Sequence, residues 1–380
     1  MADAIALLSL AALAYTYLGY ALLLRVLARS GAGSARAEDL PDAATVILAA
    51  HNEAACTEQT LSALQRTQGC RLSVIVASDA STDGTDAIVR SFQESGVRLV
   101  RLQARGGKLA ALQRAAADVT DEVIVCIDAS SIVRADAIPR LLQHFEQSDV
   151  GSVTGARRVL RSDGAVASGD GLYWRYESML RSLESRTGSS HTGVEGGLFA
   201  IRRSLLRLDF AADLADDLAI GFGVTEQGYR NLYDVGAAFD EPATSSVLIE
   251  SARRVRVVVK GMRTVLAYRR LLNPLRQPGF CFQILSHKIA KWAAPFALLA
   301  LFAATAVADH PMLQVLFWAQ VGFYSLAAAG ALWPARRTPR VLAVPLFFSA
   351  MHWSMFLAWF AIWRRYSSWS PPSREFGPSC

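Results

Sequence analysis

Between Ala4 and Leu24 the chain carries no charged side chain, and this stretch constrains the fold more than any other feature. As a helix it is long enough to cross the ~30 Å hydrocarbon core of a bilayer. A cleaved secretory signal is the alternative. The apolar core is too long for one and Met1-Ala2-Asp3 offers no positive leader, so a retained anchor is expected. Three further uncharged stretches lie near the other end: Trp292 to Ala308, Met312 to Ala335 and Val341 to Trp363. The first is short for a span, and the other two are long enough. Trp292, Trp333, Trp359 and Trp363 sit near their ends, where aromatic belts form.

Basic residues set the orientation. Arg25, Arg29 and Arg36 follow the first span and Asp3 precedes it, which places the middle of the chain in the cytoplasm. Arg336, Arg337 and Arg340 mark a second cytoplasmic loop. Arg364, Arg365 and Arg374 end outside if Val341–Trp363 spans, and inside if it is re-entrant; Pro345 and His352 suit the latter. Two or three C-terminal spans are therefore both open. The expected location is a bacterial inner or plasma membrane. The cysteines, Cys56, Cys70, Cys126, Cys281 and Cys380, show no Cys-x-x-Cys spacing, so free thiols are expected and a zinc site is not. The net charge of +6 does not suggest nucleic acid, because the excess is local to one membrane-proximal stretch.

After a Gly/Ala/Ser linker ending at Pro41, short apolar runs alternate with helical segments. Thr45–Ala50, Leu72–Ala77, Val97–Leu102 and Val123–Ile127 read as strands. Glu58–Thr67, Thr85–Glu94, Lys108–Ala117 and Arg134–Gln147 read as helices. Such alternation predicts an α/β domain with a Rossmann-like, mostly parallel sheet covered on both faces. The division expected is 1–30 anchor, 31–42 linker, 43–250 catalytic domain, 251–291 basic amphipathic region, 292–363 membrane region and 364–380 tail.

Two of the strands end in carboxylates, Asp79 and Asp128, and the first closes on Ala50-His51-Asn52-Glu53. Strand ends of a parallel sheet open onto a crevice that binds nucleotides. Asp83 and Thr85 read as turn and cap residues. Arg105-Gly106-Gly107-Lys108 begins a helix, whose amides and lysine suit a phosphate. Asp128-Ala129-Ser130 offers one carboxylate and one hydroxyl to Mg²⁺ or Mn²⁺, with waters and phosphates completing an octahedron. Asp216-Asp217 is a third acidic site, where one carboxylate could take a proton from an attacking hydroxyl.

From Ser251 to Ala308 there is no Asp or Glu, yet ten Lys or Arg lie between Arg253 and Lys291. Arg256, Lys260, Arg263 and Arg270 fall near one helical face, with Val255, Val258, Val259, Met262 and Leu266 largely opposite. This suggests an amphipathic helix on an anionic leaflet, or a helix end presenting Arg253, Arg254 and Arg256 to a diphosphate.

In their order and spacing these stretches resemble the membrane-bound family 2 glycosyltransferases, the group that includes cellulose, chitin and hyaluronan synthases. Asp79-Ala80-Ser81-Thr82-Asp83-Gly84-Thr85, Gly107-Lys108-Leu109-Ala110-Ala111-Leu112, Asp128-Ala129-Ser130, Glu195 to Arg203, Asp216-Asp217 and Arg253 to Arg256 carry the resemblance, over about Thr45 to Lys291. It implies a GT-A fold and inverting transfer from a nucleoside-diphosphate sugar, with a uridine nucleotide expected. By position Asn52, Glu53, Asp79 and Lys108 would hold the nucleotide-sugar. Asp128, with Ser130, would hold the metal, Arg253 and Arg256 would reach the diphosphate, and Asp217 would be the base supported by Asp216.

The departures also carry information. Arg253 and Val257 stand where the family's Gln-x-x-Arg-Trp motif has glutamine and tryptophan, so an acceptor-stacking ring is missing there. One expectation is transfer of one or a few sugars to a lipid-linked or carbohydrate acceptor. A second is a processive polysaccharide synthase, with Tyr173 or Trp174 replacing the ring. A third is a catalytically silent nucleotide- or polysaccharide-binding membrane subunit. Membrane partner subunits are compatible with each.

Overall fold

The computed structural model describes residues 1–28, 41–160, 165–242, 247–334 and 338–363. The linker with Arg29 and Arg36, the loop with Arg336 and Arg337, and the tail with Arg364, Arg365, Arg374 and Cys380 lie outside the described residues.

The chain opens with α1 (Ala2–Leu27). The next elements are β1 (Ala43–Ala50), α2 (Ala54–Gln65), β2 (Arg71–Ser78), α3 (Thr85–Ser91), β3 (Val97–Arg101) and α4 (Lys108–Ala116). Then come β4 (Val123–Asp128), β5 (Ile132–Val133), α5 (Ala137–Gln143), β6 (Val150–Leu160), α6 (Ala165–Ser185) and β7 (Leu198–Arg202). After these follow α7 (Asp216–Glu226), β8 (Arg230–Pro242) and α8 (Val247–Ala267). Three long helices close the described chain: α9 (Pro278–Ala306), α10 (Pro311–Leu332) and α11 (Arg340–Ala361).

One sheet has the order β3-β2-β1-β4-β7-β6-β8-β5. The expected parallel pairing holds for its first half, where β1 pairs with β2 and β4, and β2 with β3. Beyond β4 the sheet is mixed: β7 runs antiparallel to β4 and β6, β5 antiparallel to β8, and β6 parallel to β8. The reversal has a consequence for the site. An antiparallel β7 starts where β4 ends, so its entry loop brings Glu195 and Gly196 beside Asp128, and Asp128 N–H donates to the Gly197 carbonyl at 3.4 Å.

The sheet is buried on both faces, as its continuous apolar strands require. Val46, Leu48 and Val125 pack under Leu61 of α2, Val89 of α3 and Ile138 and Leu141 of α5. The alternate residues Ile47, Ala49, Ile124 and Cys126 pack under Ala111 and Leu112 of α4 and Ile220 and Val224 of α7. Burial of each such side chain contributes roughly 1.5–3 kcal/mol.

Four helices among the described residues are long and apolar enough to cross a membrane: α1, α9, α10 and α11. Two of the sequence expectations change here. The stretch from Trp292, short by itself, belongs to a helix that begins at Pro278 and includes a π-helical turn over Ile284–Ile289. Its basic side chains hid it; Glu177 and Glu184 of α6 pair with Lys291 and His287 there. The expectation for α8 changes as well. Its Val258, Val259 and Met262 pack on Phe347, Met351, Met355 and Ala358 of α11, so protein covers that part of the apolar face where a leaflet was expected, while Leu266 stays exposed.

Candidate active site

The first two strand ends form a hydrogen-bonded turn pair. Asn52 (φ 55°) and Ala80 (φ 51°) both adopt left-handed backbone. Asn52 Oδ1 accepts from the Thr82 amide at 2.8 Å, and the Glu53 amide donates to Thr85 Oγ1 at 2.9 Å. Asp83 takes the amides of Thr85 (2.9 Å) and Ala54 (3.1 Å), an Asx-turn one residue ahead of the Gly84 N-cap. Burial works against its charge, but the bonds from Thr85 outweigh that and hold Asp83 below the usual range.

Asp79 is 1% exposed. Its Oδ1 accepts from the Gly106 amide at 2.7 Å and its Oδ2 from the Gly107 amide at 2.9 Å. Gly107 has φ +86°, a conformation only glycine adopts without strain. A Cβ on Gly106 would lie 2.8 Å from Ala110. Asp79 thus shapes the loop that starts α4 and aims Lys108.

Lys108 is the hub. Its Nζ donates to Asp128 Oδ1 at 2.6 Å and lies 3.3 Å from Asp216 Oδ2. Burial opposes its charge, and Asp128 and Asp216 overcome it and raise the lysine's pKa. Asp128 itself is raised by burial more than Lys108 lowers it.

Asp216 and Asp217 open the first turn of α7. Burial would raise Asp216, but Lys108 and Lys260 hold it below the usual carboxylate range. Asp217 goes the other way. Burial, then repulsion from Asp216 and Glu195, pushes it up to about 6. Its Oδ1 accepts from the Leu218 amide at 2.7 Å, leaving Oδ2 for other chemistry.

These groups converge on one crevice lined by Lys108, Asp128, Gly196, Asp216 and Asp217, with Leu112, Cys126, Phe199 and Ile220 as an apolar floor. A Cβ on Gly196 would stand 3.7 Å from Lys108 Nζ and 3.9 Å from Asp128 Oδ2, filling the opening. Asp79 adjoins it through the Gly106-Gly107 loop. Ser130 is buried two residues beyond Asp128. Asn52 and Glu53 lie further along the strand edge, and Glu53 Oε2 accepts from Cys56 Sγ at 3.3 Å.

On α8, Arg253 Nε donates to Glu250 Oε2 at 3.2 Å. Burial, then the neighbouring Arg253, lowers Arg256. Further along the same helix Lys260 donates to the Ala212 carbonyl at 3.1 Å and acts electrostatically on Asp216 and Asp217. Lys260 was read as part of a basic face and missed as a site residue. Glu195 was likewise missed, although it lies in the quoted stretch; it pairs with Arg181 of α6. Tyr173 and Trp174, the candidate replacement rings, are engaged by cations: Arg254 stands 5.1 Å over Tyr173, and Arg157 4.6 Å over Trp174.

Fold and crevice together define an α/β domain of the GT-A fold, set against helices of membrane-spanning length. Residues 45–209 match the family model described as Glycosyl transferase family 2. It is 25% identical over 197 residues to poly-beta-1,6-N-acetyl-D-glucosamine synthase of Staphylococcus aureus, covering 50% of this chain and 47% of that protein. To the enzyme of the same name from Staphylococcus epidermidis it is 27% identical over 164 residues, 42% of this chain and 40% of that one. The chain thus spans about half the length of the curated relatives it matches. A mannosyltransferase from Pyrobaculum calidifontis, solved with GDP-Man and Mn²⁺, shares the fold at TM-score 0.71 and 22% identity, over 95% of this chain and 99% of that one.

Proposed function

We propose that the protein transfers a sugar, with inversion, from a nucleoside-diphosphate sugar to a membrane-associated or carbohydrate acceptor at the cytoplasmic face of a bacterial inner membrane. The carrying observation is Asp217, raised to about 6 in a crevice shared with Lys108 and Asp128. A base with that affinity is matched to proton abstraction near neutral pH. The acceptor oxygen attacks the anomeric carbon, its proton passes to Asp217 Oδ2, and the bond to the diphosphate breaks. Asp216, ionised by Lys108 and Lys260, keeps the Asp217 affinity high. Arg253, Arg256 and Lys260 supply a cationic strip for the diphosphate, while Asn52, Glu53 and the Asp79-shaped loop hold the nucleoside part.

The donor set bears on a metal. Among the described residues no group of three or more His, Cys, Asp or Glu gathers to hold an ion. Asp128 Oδ2 with Ser130 suits an Mg²⁺ or Mn²⁺ ion that arrives with phosphates and waters as its other ligands. Such an ion, when bound, would neutralise charge on the leaving diphosphate.

The test uses purified protein in detergent, with release of nucleoside diphosphate as the readout. Asp217→Asn should lower turnover by about 10²–10⁴-fold. Unchanged turnover would remove Asp217 as base. A thermal-shift screen of UDP- and GDP-sugars, each with and without Mn²⁺, identifies donor and metal; a uridine donor is expected, and a response confined to GDP-sugars would reverse that.

A second reading, a synthase of polysaccharide, draws support from the named relatives. The cations over Tyr173 and Trp174 and the valine at 257 weigh against an open stacking platform. Product length separates the two: long polymer favours the second, and short or lipid-extractable product the first.

A further inference from the structure

Among the charged side chains outside the crevice, one set forms a buried seam between α6 and α9. There Glu177 takes Lys291 Nζ at 2.7 Å and His287 Nε2 at 2.8 Å, and Glu184 takes His287 Nδ1 at 2.6 Å. A second set is the basic face of α8. Instead of turning to a leaflet, it reaches the loop 211–215 that leads into Asp216 and Asp217.

That loop needs an outside anchor. α7 starts at Asp216 with Ala215 as its N-cap, and alanine has no side-chain oxygen to receive the free amides of a first helical turn. Ala211 and Ala212 are exposed, so burial does little to fix that end. α8 supplies the bonds. Lys260 Nζ donates to the Ala212 carbonyl at 3.1 Å, and Arg263 Nη1 to Asp213 Oδ2 at 3.2 Å. The Ala215 amide donates to Thr264 Oγ1 at 3.0 Å. Thr264 is fully buried, and its own hydroxyl hydrogen goes to the Lys260 carbonyl at 2.9 Å, which leaves the oxygen to accept from Ala215. Arg263 reaches the other way as well: its Nε and Nη2 donate to the Ile362 carbonyl at the end of α11, at 3.0 and 2.6 Å. Trp359 of α11 donates to the Trp292 carbonyl of α9 at 2.9 Å, and a Cβ on Gly261 of α8 would stand 3.1 Å from the Trp292 ring. The loop is thus tied to a frame of α8, α9 and α11.

We infer that Thr264 and Arg263 are positioning residues for the transfer: they fix the start of α7, and with it the place of the Asp217 carboxylate against the reacting oxygen. Neither lines the crevice. Asp216 and Asp217 stand one and two residues beyond the amide that Thr264 holds, so any drift of that amide moves both carboxylates. A misplacement of about 1 Å costs on the order of 10²-fold in rate. The positioning role rests on the transferase reading above; the anchoring of the loop does not.

The test uses the full chain in detergent and reads nucleoside-diphosphate release together with hydrogen exchange of the backbone amides over 211–217. Thr264→Val keeps the side chain's shape and loses its hydroxyl. It should lower kcat by about 10–100-fold with the donor KM unchanged, and it should speed exchange over 211–217. Thr264→Ser keeps the hydroxyl and should recover most of the rate. Arg263→Met should act in the same direction as Thr264→Val, and provides the comparison if that variant does not fold. Unchanged exchange in the folded variants would overturn the anchor. Faster exchange with unchanged kcat would overturn the positioning role, as would a Thr264→Ser variant as slow as Thr264→Val. Absent nucleoside-diphosphate release in wild type would instead sink the transferase reading, and the exchange comparison would still decide whether α8 holds the loop.

Discussion

The crevice and the α6–α9 seam are built from the same residue types and behave in opposite ways. In the seam, burial opposes Glu177 and Glu184, but Lys291 and His287 outweigh it and hold both below the ordinary glutamate range. In the crevice the cation of Lys108 goes to Asp128 and Asp216, and Asp217 is left to burial and repulsion. Charge pairing, rather than residue type, separates a structural carboxylate from a reactive one.

The sharpest way to break this contrast is to exchange the carboxylates. Asp217→Asn should cost about 10²–10⁴-fold in turnover with little change in unfolding temperature, read by nucleoside-diphosphate release and calorimetry. Glu177→Ala should do the reverse. Removing one partner of a buried ion pair destabilises by about 3–5 kcal/mol, measured by denaturant or heat, while the folded fraction still binds nucleotide-sugar. If the two variants lose the same property, the contrast is wrong.

Acidity sharpens it further. Asp217 must be ionised to act, so turnover should fall about tenfold per pH unit below about 6. Lys108→Met removes a cation that favours ionisation and should move this limb to higher pH. The seam responds at lower pH. Its glutamates are depressed in the fold, so their stabilisation is full above about pH 4.5 and is lost as pH falls towards their folded values. The smallest effect belongs to the turn. Asp83→Ala should cost about 1 kcal/mol in stability, with donor binding weakened only through the shape of the strand-end loop.

Much of this was legible in the residues. The apolar runs closing on Asp79 and Asp128 gave the parallel half of the sheet and the edge where the crevice lies. Asp216-Asp217 and Lys108 stand out in the sequence as candidates for chemistry. Periodicity reports only on neighbours along the chain, and so β7 was not seen to turn antiparallel, nor Lys260 to reach the carboxylates.

What the amino-acid order settled alone was local: where strands end in carboxylates, where glycine permits Gly107 its left-handed turn, and which stretches are apolar enough to span. What only tertiary structure decided was partnership. Glu177 and Glu184 lie more than a hundred residues from His287, and Asp128 lies 20 residues from the lysine that neutralises it. A charge's behaviour depends on what stands within a few ångströms of it, and sequence distance does not carry that information.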